Sequence, residues 1–327
     1  MNVARVRLPG HPDAVCDLVA EAIVDEYTRR DPTTRLRVSV MGGRGALFVA
    51  GDVMSKADFD VSQLITRTLG SLGVMDALEP FVSLEPVVAE RATLFGSGIE
   101  APVSVVGYAT GENSEMLPSA TLLARRVAKT IHELRSTNDK WFWLGGDAEV
   151  VVEGGRENVI SLRVENGLKP LDEVRDEISS IVHTIDARAI VRVNELGSDD
   201  LRGIGKMMGA SGRGNVPYGS ALPSSASGVG FDVSSPEKSG AWLARAAARH
   251  LVKQGAKAAM IHVVYRPGER QPAKISARDE RGKDLSKEIS LERMSLDRVM
   301  DEWWRPSLCA DAARWGYAGE AGLPWEG

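Results

Sequence analysis

The sequence predicts an α+β protein made of three similar α/β repeats, each with helices packed on one face of a small mixed sheet. The first observation is the order of elements: a helical run, two strand-like runs and a second helical run occur three times along the 327 residues. The second is composition, since 43% hydrophobic and 26% charged residues are typical of a globular chain with substantial cores. Because helices and half-buried strands must cover each other's apolar faces, each repeat is expected to form helices on a sheet.

The first repeat begins directly after the tetrapeptide Gly-His-Pro-Asp at residues 10–13. Proline is suited to the first turn of a helix, and the apolar pattern that follows predicts a helix over residues 14–30. Two strand-like runs, 36–41 and 45–53, come next, and an amphipathic run at 57–72 predicts the second helix. The order is therefore helix, hairpin and helix.

The second repeat has the same order. Helices are predicted at 118–136 and 171–185, on either side of strands at 147–153 and 158–165. The glycine-containing segment 154–158 predicts a turn between the two strands.

The third repeat is predicted to have helices at 236–254 and 290–302, with strands at 258–265 and 272–279 between them. The sequence therefore predicts three domains, with limits at 1–106, 107–190 and 191–327.

A stretch rich in glycine and serine, residues 197–235, separates the second and third repeats and is too long for an ordinary connector. Glycines let a backbone approach a phosphate closely, and Arg213 within this stretch could add a bidentate charged contact. The stretch is therefore interpreted either as a phosphate-binding loop or as a flexible linker.

Charge and hydrophobicity exclude several classes of protein. A net charge of −5 argues against a nucleic-acid-binding protein, because neutralising phosphates requires a basic surface. The chain has no apolar run of about 18 residues and no secretion signal at its start, so a cytoplasmic protein without membrane contact is expected. Cys16 and Cys309 are too few for a disulfide framework or a zinc site, and both are expected to be buried and inert.

The Gly-His-Pro-Asp motif places an imidazole and a carboxylate at the start of a helix. The unpaired amides of a helix N-terminus attract phosphate and other anions, which indicates a nucleotide site. The alternative is that Asp13 only caps the helix by accepting a hydrogen bond from one of these amides.

Five segments of the chain occur in an order that is found in one enzyme family. They are the Gly-His-Pro-Asp motif; Arg37-Val38 with Ala46 to Val53; Gly107 to Asn113 with Met116 to Pro118 and Ala124 to Arg126; Gly209 to Asn215; and Trp315 to Gly319 with Pro324 to Glu326. Together these segments resemble the S-adenosylmethionine synthetase (methionine adenosyltransferase) family, and they extend over residues 10–326.

The resemblance implies three repeats in a pseudo-threefold arrangement, in agreement with the repeated pattern of elements. It implies a transferase that forms S-adenosylmethionine from ATP and methionine and releases the polyphosphate. ATP would be a substrate, Mg²⁺ a cofactor and K⁺ a further candidate ion. The resemblance also implies a homodimer with the active site at the interface of the two subunits.

The resemblance further implies roles for individual residues. His11 and Arg213 would be catalytic, with His11 near the breaking bond and Arg213 on the polyphosphate, whereas Asp13 and Glu237 would hold metal. The implied substrate-binding positions are Asp52 for the methionine amino group, Asp147 for ATP, Ala101 in the segment where the family carries a methionine-binding carboxylate, and Asn215 beside Arg213.

Several charged positions differ from the family. Ala14 replaces a basic residue, Glu149 reverses the charge of a lysine, and the segment with Ala101 has lost a carboxylate. The chain could be a divergent synthetase with rebuilt polyphosphate contacts. The same fold could instead act on a different acceptor or only cleave polyphosphate, or serve as a non-catalytic partner of a true synthetase. The candidate replacement cations are Lys206, Arg44, Arg202 and Lys238.

Overall fold

The computed structural model describes residues 3–137, 139–200, 202–218 and 228–327, and these form three small sheets with helices packed against them. The helices are α1 Pro12–Arg30, α2 Val61–Ser71, α3 Ala89–Gly96, α4 Ser119–Thr137, α5 Leu171–Ile185, α6 Ala241–Lys253 and α7 Leu308–Arg314. The strands are β1 Val3–Arg7, β2 Arg35–Gly43, β3 Ala46–Met54, β4 Glu79–Pro86, β5 Val103–Thr110, β6 Ala148–Glu153, β7 Val159–Val164, β8 Ile190–Val193, β9 Gly209–Ala210, β10 Ala258–Tyr265 and β11 Lys274–Asp279. The predicted fold class is confirmed.

Each sheet contains one of the three predicted hairpins, β2–β3, β6–β7 and β10–β11, whose strands are antiparallel. The strand orders are β4-β3-β2-β9, β1-β6-β7-β8 and β11-β10-β5. Strand β3 pairs with β4 in parallel, and β7 pairs with β8 in parallel. Two of these sheets are therefore mixed.

Helix α1 is buried on most of its surface. Val15, Val19 and Ile23 recur at four-residue intervals and are fully buried, as expected for an apolar helix face. The helix contacts β2, α2 and α7, so it is covered from several directions. It begins at Pro12, two residues before the predicted start, because His11 is its N-cap residue.

The buried apolar side chains form two clusters. One lies between α1, α6 and the sheets that contain β2–β3 and β5–β10. The other lies between α4, α5 and the sheet that contains β1, β6 and β7.

Both cysteines are free and buried, as predicted. Within the described ranges, no helix is long and apolar enough to cross a bilayer. The cytoplasmic location stays a prediction.

The sheets exchange strands between the predicted repeats. Strand β1 comes from the first repeat but pairs with β6 of the second, with Val6 opposite Val150. Strand β5 lies at the first predicted boundary and pairs with β10 of the third repeat, and the short β9 pairs with β2. The domain limits 1–106, 107–190 and 191–327 stay a prediction, and strand pairing ties each of these segments to another.

The predicted helix at 290–302 is wrong over its first part: this part contains only the short turn Glu292–Met294, and helical structure begins at residue 297 and includes the π-helical turn Val299–Trp303. Its buried residues Met294, Leu296 and Val299 are two and three positions apart, which does not fit one face of a helix. The amide of Leu296 instead donates a hydrogen bond to the carbonyl of Arg270. The burial pattern of this segment therefore follows its contacts with the β10–β11 connection.

Other boundaries differ by less. The second helix of the first repeat begins only after Asp60, whose carboxylate accepts a hydrogen bond from the Gln63 amide at 2.9 Å. The predicted helix at 236–254 consists of a π-helical turn, Pro236–Gly240, followed by α6. Strand β4 and helix α3 were not predicted.

Candidate active-site cavity

Two predicted motifs meet at the start of α1. The Oδ1 atom of Asp13 accepts a hydrogen bond from the Ala210 amide at 3.0 Å. A Cβ atom on Gly209 would lie 2.2 Å from the Pro12 carbonyl oxygen, so glycine is required for this approach. Asp13 does not cap the helix; its own amide donates a hydrogen bond to the His11 ring. The capping alternative is therefore wrong.

The glycine-rich loop is fixed against α1 over residues 209–215 through hydrogen bonds to Asp13 and Asp17. This part of the predicted stretch is therefore not a free linker. Residues 201 and 219–227 of the stretch lie outside the described residues.

Arg7, at the end of β1, links the α1 turn, which is the segment 10–13 at the start of the helix, to the glycine-rich loop. The Arg7 amide donates a hydrogen bond to Asn215 Oδ1 at 2.8 Å, and Asn215 Nδ2 donates one to the Arg7 carbonyl at 2.9 Å. Its guanidinium donates to the Arg213 carbonyl and lies 3.2 Å from Asp13 Oδ2. Arg7 was not predicted as a site residue, although the alternating arginines Arg5 and Arg7 just before the motif are a signal that could have identified it.

His11 is buried and uncharged at neutral pH. Burial, and next the positive charge of Arg7, lower the pKa of its ring to about 4. Since Nδ1 accepts the hydrogen bond from the Asp13 amide at 3.1 Å, the proton of the neutral ring is on Nε2. The ring can therefore offer an N–H donor but not a positive charge.

The Asp147 carboxylate already accepts hydrogen bonds from other residues of the chain. Its carboxylate accepts hydrogen bonds from Arg202 Nη2 at 2.8 Å and from the Gly203 amide at 3.0 Å. Burial raises its pKa, although Arg202 opposes the shift. The preceding Gly146 lies against the α1 turn, since a Cβ on Gly10 would be 2.3 Å from its carbonyl oxygen. Asp147 therefore anchors the segment that supports the turn, and its contact with ATP stays a prediction.

Asp13, Arg213 and Asn215 line one cavity of about 570 Å³. This volume lies within the usual range for small-molecule sites. The same cavity is lined by four cations and three carboxylates in all, namely Arg5, Arg7, Arg213 and Lys238 and Asp13, Asp17 and Glu21. This balance of charge favours an anionic ligand such as a phosphate chain.

The buried end of the cavity contains an ion pair. Lys238 donates a hydrogen bond to Glu21, and both side chains are almost inaccessible to solvent. Burial raises the pKa of Glu21 to about 7, and the charge of Lys238 opposes this shift. Trp242 and Tyr317 line the cavity beside them. Lys238, a predicted replacement cation, is therefore present in the cavity wall but already paired.

The positions predicted to bind methionine form a separate cluster and do not line this cavity in the part of the chain that the structure describes. Asp52 pairs with Arg91 at 3.1 Å, and Arg91 also pairs with Glu100 at 3.1 Å. Ala101 is exposed beside Glu100. The charges in this cluster are therefore balanced by neighbours within the chain.

The predicted metal ligands Asp13 and Glu237 do not form a ligand set. Among the described residues, no three His, Cys, Asp or Glu side chains are grouped closely enough to hold a metal ion. The Asp13 oxygens contact the Ala210 amide and Arg7, and the Glu237 carboxylate accepts a hydrogen bond from the Ser235 hydroxyl. Mg²⁺ in phosphate sites is usually bound through only one or two carboxylates, with phosphate and water oxygens as the other ligands, so the metal roles of Asp13 and Glu237 stay a prediction.

Sequence comparison identifies similar proteins over the whole chain. The family model described as S-adenosylmethionine synthetase, N-terminal domain, matches residues 5–88. The S-adenosylmethionine synthase of Aquifex aeolicus is 25% identical over 367 residues, with 100% of this chain and 96% of the relative covered. The synthases of Oenococcus oeni and Chlorobium phaeobacteroides are 26% and 24% identical, each with 97% of this chain and 93% of the relative covered.

The three-sheet fold, the order of the motifs and these full-length matches all indicate the same group of relatives. The chain is similar over its whole length to S-adenosylmethionine synthases, and its residues 5–88 match the N-terminal domain of that family.

Proposed function

We propose that the chain is a methionine adenosyltransferase-like enzyme that forms S-adenosylmethionine, or a close analogue, from ATP and methionine with release of the polyphosphate. The observation that carries the proposal is the contact of the α1 turn with the glycine-rich loop, where Asp13 binds the Ala210 amide beside the arginine-lined cavity. The names of the similar proteins support the same reaction.

This reaction requires stabilisation of charge and does not require a base. The methionine sulfur attacks C5′ of ATP, the C5′–O bond breaks, and the triphosphate leaves with the electron pair of that bond. Because a thioether sulfur has no proton to lose, no general base is needed in this step. Negative charge accumulates on the leaving triphosphate, so fixed cations and N–H donors around it lower the barrier.

Residues of the cavity can supply this stabilisation. Arg213 and Arg5 are exposed to the cavity, and their charges would bind the phosphate oxygens. His11 is not among the described residues that line the cavity, so donation of its Nε2 proton to an oxygen near the breaking bond stays a prediction. Arg7 would keep the loop in place, because it exchanges hydrogen bonds with Asn215 and its guanidinium donates to the Arg213 carbonyl.

A changed acceptor is the second candidate, because the charges at the predicted methionine positions are already balanced. Asp52 is paired with Arg91, and Ala101 provides no carboxylate. Loss of one of two carboxylate partners of a buried ammonium costs roughly 2–5 kcal/mol. We therefore expect ATP to bind with ordinary affinity, and methionine to bind weakly or to be replaced by a different sulfur or nitrogen nucleophile.

The proposed assembly is a homodimer. Met41, Phe48 and Phe81 are adjacent on β2, β3 and β4 and are 54%, 49% and 52% exposed. The rings of Phe48 and Phe81 stack with centroids 5.2 Å apart. Such a contiguous apolar row is uncommon on a monomer surface, and a second copy would cover it. A shared site would also let the other subunit contribute groups that one chain lacks.

Mass spectrometry of purified protein incubated with ATP, Mg²⁺ and methionine tests the proposed reaction. A sulfonium product is expected, and Asp13→Asn should abolish it because the loop loses a charged contact with α1. A product with another nucleophile would favour the changed acceptor. If the protein neither binds ATP nor forms a product with any acceptor, the proposal is wrong and the non-catalytic alternative stands.

A further inference from the structure

Asp17 lies one helical turn after Asp13 and faces the same loop. Its side chain lines the cavity, and the residue is only 4% exposed. Its Oδ1 atom accepts a hydrogen bond from the Gly212 amide at 2.6 Å, and Oδ2 accepts one from the Gly214 amide at 3.1 Å. These amides are on either side of Arg213, so one carboxylate fixes the backbone before and after that residue.

The loop is shaped to fit this carboxylate. A Cβ atom on Gly214 would lie 2.1 Å from Asp17 Oδ2, so a larger residue would push the loop away from α1. The Arg7 guanidinium donates hydrogen bonds to the carbonyls of Arg213 and Gly214. The backbone around Arg213 is therefore held through its amides by an anion and through its carbonyls by a cation.

We propose that Asp17 is the positioning residue for Arg213, because its carboxylate fixes the two flanking amides and so presents the Arg213 guanidinium to a polyphosphate. The inference rests on the proposed function, in which Arg213 binds the polyphosphate. Asp17 itself need not touch the substrate. Preorganisation of this kind increases affinity, because a loop that is already ordered loses less conformational freedom on binding.

The surroundings of Asp17 make this contact sensitive to ionisation. Burial raises the pKa of Asp17 to about 7; the carboxylates of Glu21 and Asp13 add to the shift and the two loop amides oppose it. Arg5, Arg7, Arg213 and Lys238 are the cations that line the same cavity. A protonated carboxyl group has a weaker acceptor oxygen, so the loop should be held most firmly above about pH 7.

Calorimetric titration of the full chain with tripolyphosphate, for the parent and for Asp17→Asn, tests the proposal. Asparagine keeps the shape of the side chain but directs an NH₂ group at one of the two loop amides. We expect the affinity for tripolyphosphate to fall about 10- to 100-fold. Equal affinity in the two proteins would overturn the positioning role and leave the proposed function intact. A parent protein that does not bind tripolyphosphate would overturn the proposed function as well.

A double-mutant cycle with Arg213→Ala distinguishes positioning from a general structural effect. If Asp17 acts through Arg213, Asp17→Asn should change affinity by less than about twofold in the Arg213→Ala background. Independent, multiplying losses in the double variant would overturn the inference.

Asp25→Asn is the matched control. Asp25 lies two turns further along α1, is 7% exposed and also accepts hydrogen bonds from two backbone amides, those of Cys309 at 3.1 Å and Ala310 at 3.0 Å. Those amides belong to α7 and not to the loop that carries Arg213; Cys309 lines the cavity, but Asp25 is not among the described residues that do. Affinity for tripolyphosphate should match the parent; a loss as large as that of Asp17→Asn would overturn the proposal.

The pH dependence gives a readout that a purely structural role would not produce. The ratio of the parent affinity to the Asp17→Asn affinity should shrink as the pH is lowered from about 8 to about 6, because protonated Asp17 resembles asparagine. The titration of the ligand itself cancels in this ratio. A ratio that does not change with pH would contradict positioning by the ionised carboxylate.

Discussion

At the scale of single residues, the acidic side chains of α1 determine how stability varies with pH. Burial raises the pKa of Asp17 and of Glu21 to about 7 each. In the unfolded chain such carboxyl groups ionise near their ordinary pKa values of about 4. Between these limits the folded chain binds more protons than the unfolded chain. The contribution of both residues to stability is therefore present at low pH and is lost as the pH rises from about 4 to about 7.

We expect Asp17→Asn to gain stability relative to the parent as the pH rises through this range, because asparagine is uncharged throughout. Urea unfolding at about pH 4.5 and about pH 7.5 would measure the difference in unfolding free energy. His11 has the opposite effect, since its pKa is lowered to about 4, but both proteins contain it and its contribution cancels. A stability difference that is constant with pH would contradict the prediction.

The buried pair of Glu21 and Lys238 should tolerate a double replacement better than a single one. Removing Glu21 alone leaves the Lys238 charge without its hydrogen-bonded partner, and breaking a buried pair in this way costs about 3–5 kcal/mol. We expect Glu21→Met to lose about this much stability and Glu21→Met with Lys238→Met to recover most of it. Urea unfolding above about pH 7, where Glu21 is ionised, checks both variants. A double variant as unstable as the single one would show that the charge imbalance is not the cause.

Residues of contiguous motifs could be proposed as site residues from the sequence, and their roles stay predictions. His11, Asp13 and Asn215 are in short segments whose residue types already indicate a ligand site. Arg7 and Asp17 could not be assigned in this way, because their roles depend on contacts with residues 206 and 195 positions away in the chain. Their types are visible in the sequence, but the partners are determined only by the fold.

At the scale of elements, the loop 209–215 requires glycine where it touches α1. Gly214→Ala should lower the affinity for tripolyphosphate about tenfold, because its Cβ would displace the Asp17 carboxylate that fixes the loop. Gly70→Ala in α2 is the control: an added Cβ meets no heavy atom within 4 Å there. That variant should gain about 0.5–1 kcal/mol of stability and bind as the parent does. Calorimetry decides, and unchanged binding by Gly214→Ala would refute the close fit.

Elements with a regular apolar period were predicted well, as α5 shows, since its predicted limits 171–185 match the structure. The three hairpins were also predicted, because strand periodicity and glycine turns are local signals. The first part of the segment 290–302 was predicted wrongly, because contacts with other parts of the chain determine which of its residues are buried. The pairing of β1 and β5 with strands of other repeats could not be predicted, because no local sequence pattern indicates it.

At the scale of the whole molecule, the apolar row of Met41, Phe48 and Phe81 should determine assembly. We expect light scattering to give twice the chain mass of 35.2 kDa for the parent and the single chain mass for Phe81→Arg, which places a charge in the row. Leu168→Arg is the control, since Leu168 is fully exposed outside the row and the variant should remain dimeric. A parent that is monomeric at micromolar concentration would exclude the homodimer.

The exchange of strands between sheets also limits how the chain can fold during its synthesis. β1 is translated before its partner β6, which begins only at Ala148, and β5 is translated before its partner β10, which begins at Ala258. Neither strand can reach its native pairing while the first repeat alone has left the ribosome. An unpaired strand is a template for wrong pairing, and contacts between distant residues form slowly. The nascent first repeat is therefore the stage at which this chain is most exposed to misfolding, and a fragment ending near residue 106 would retain that exposure permanently.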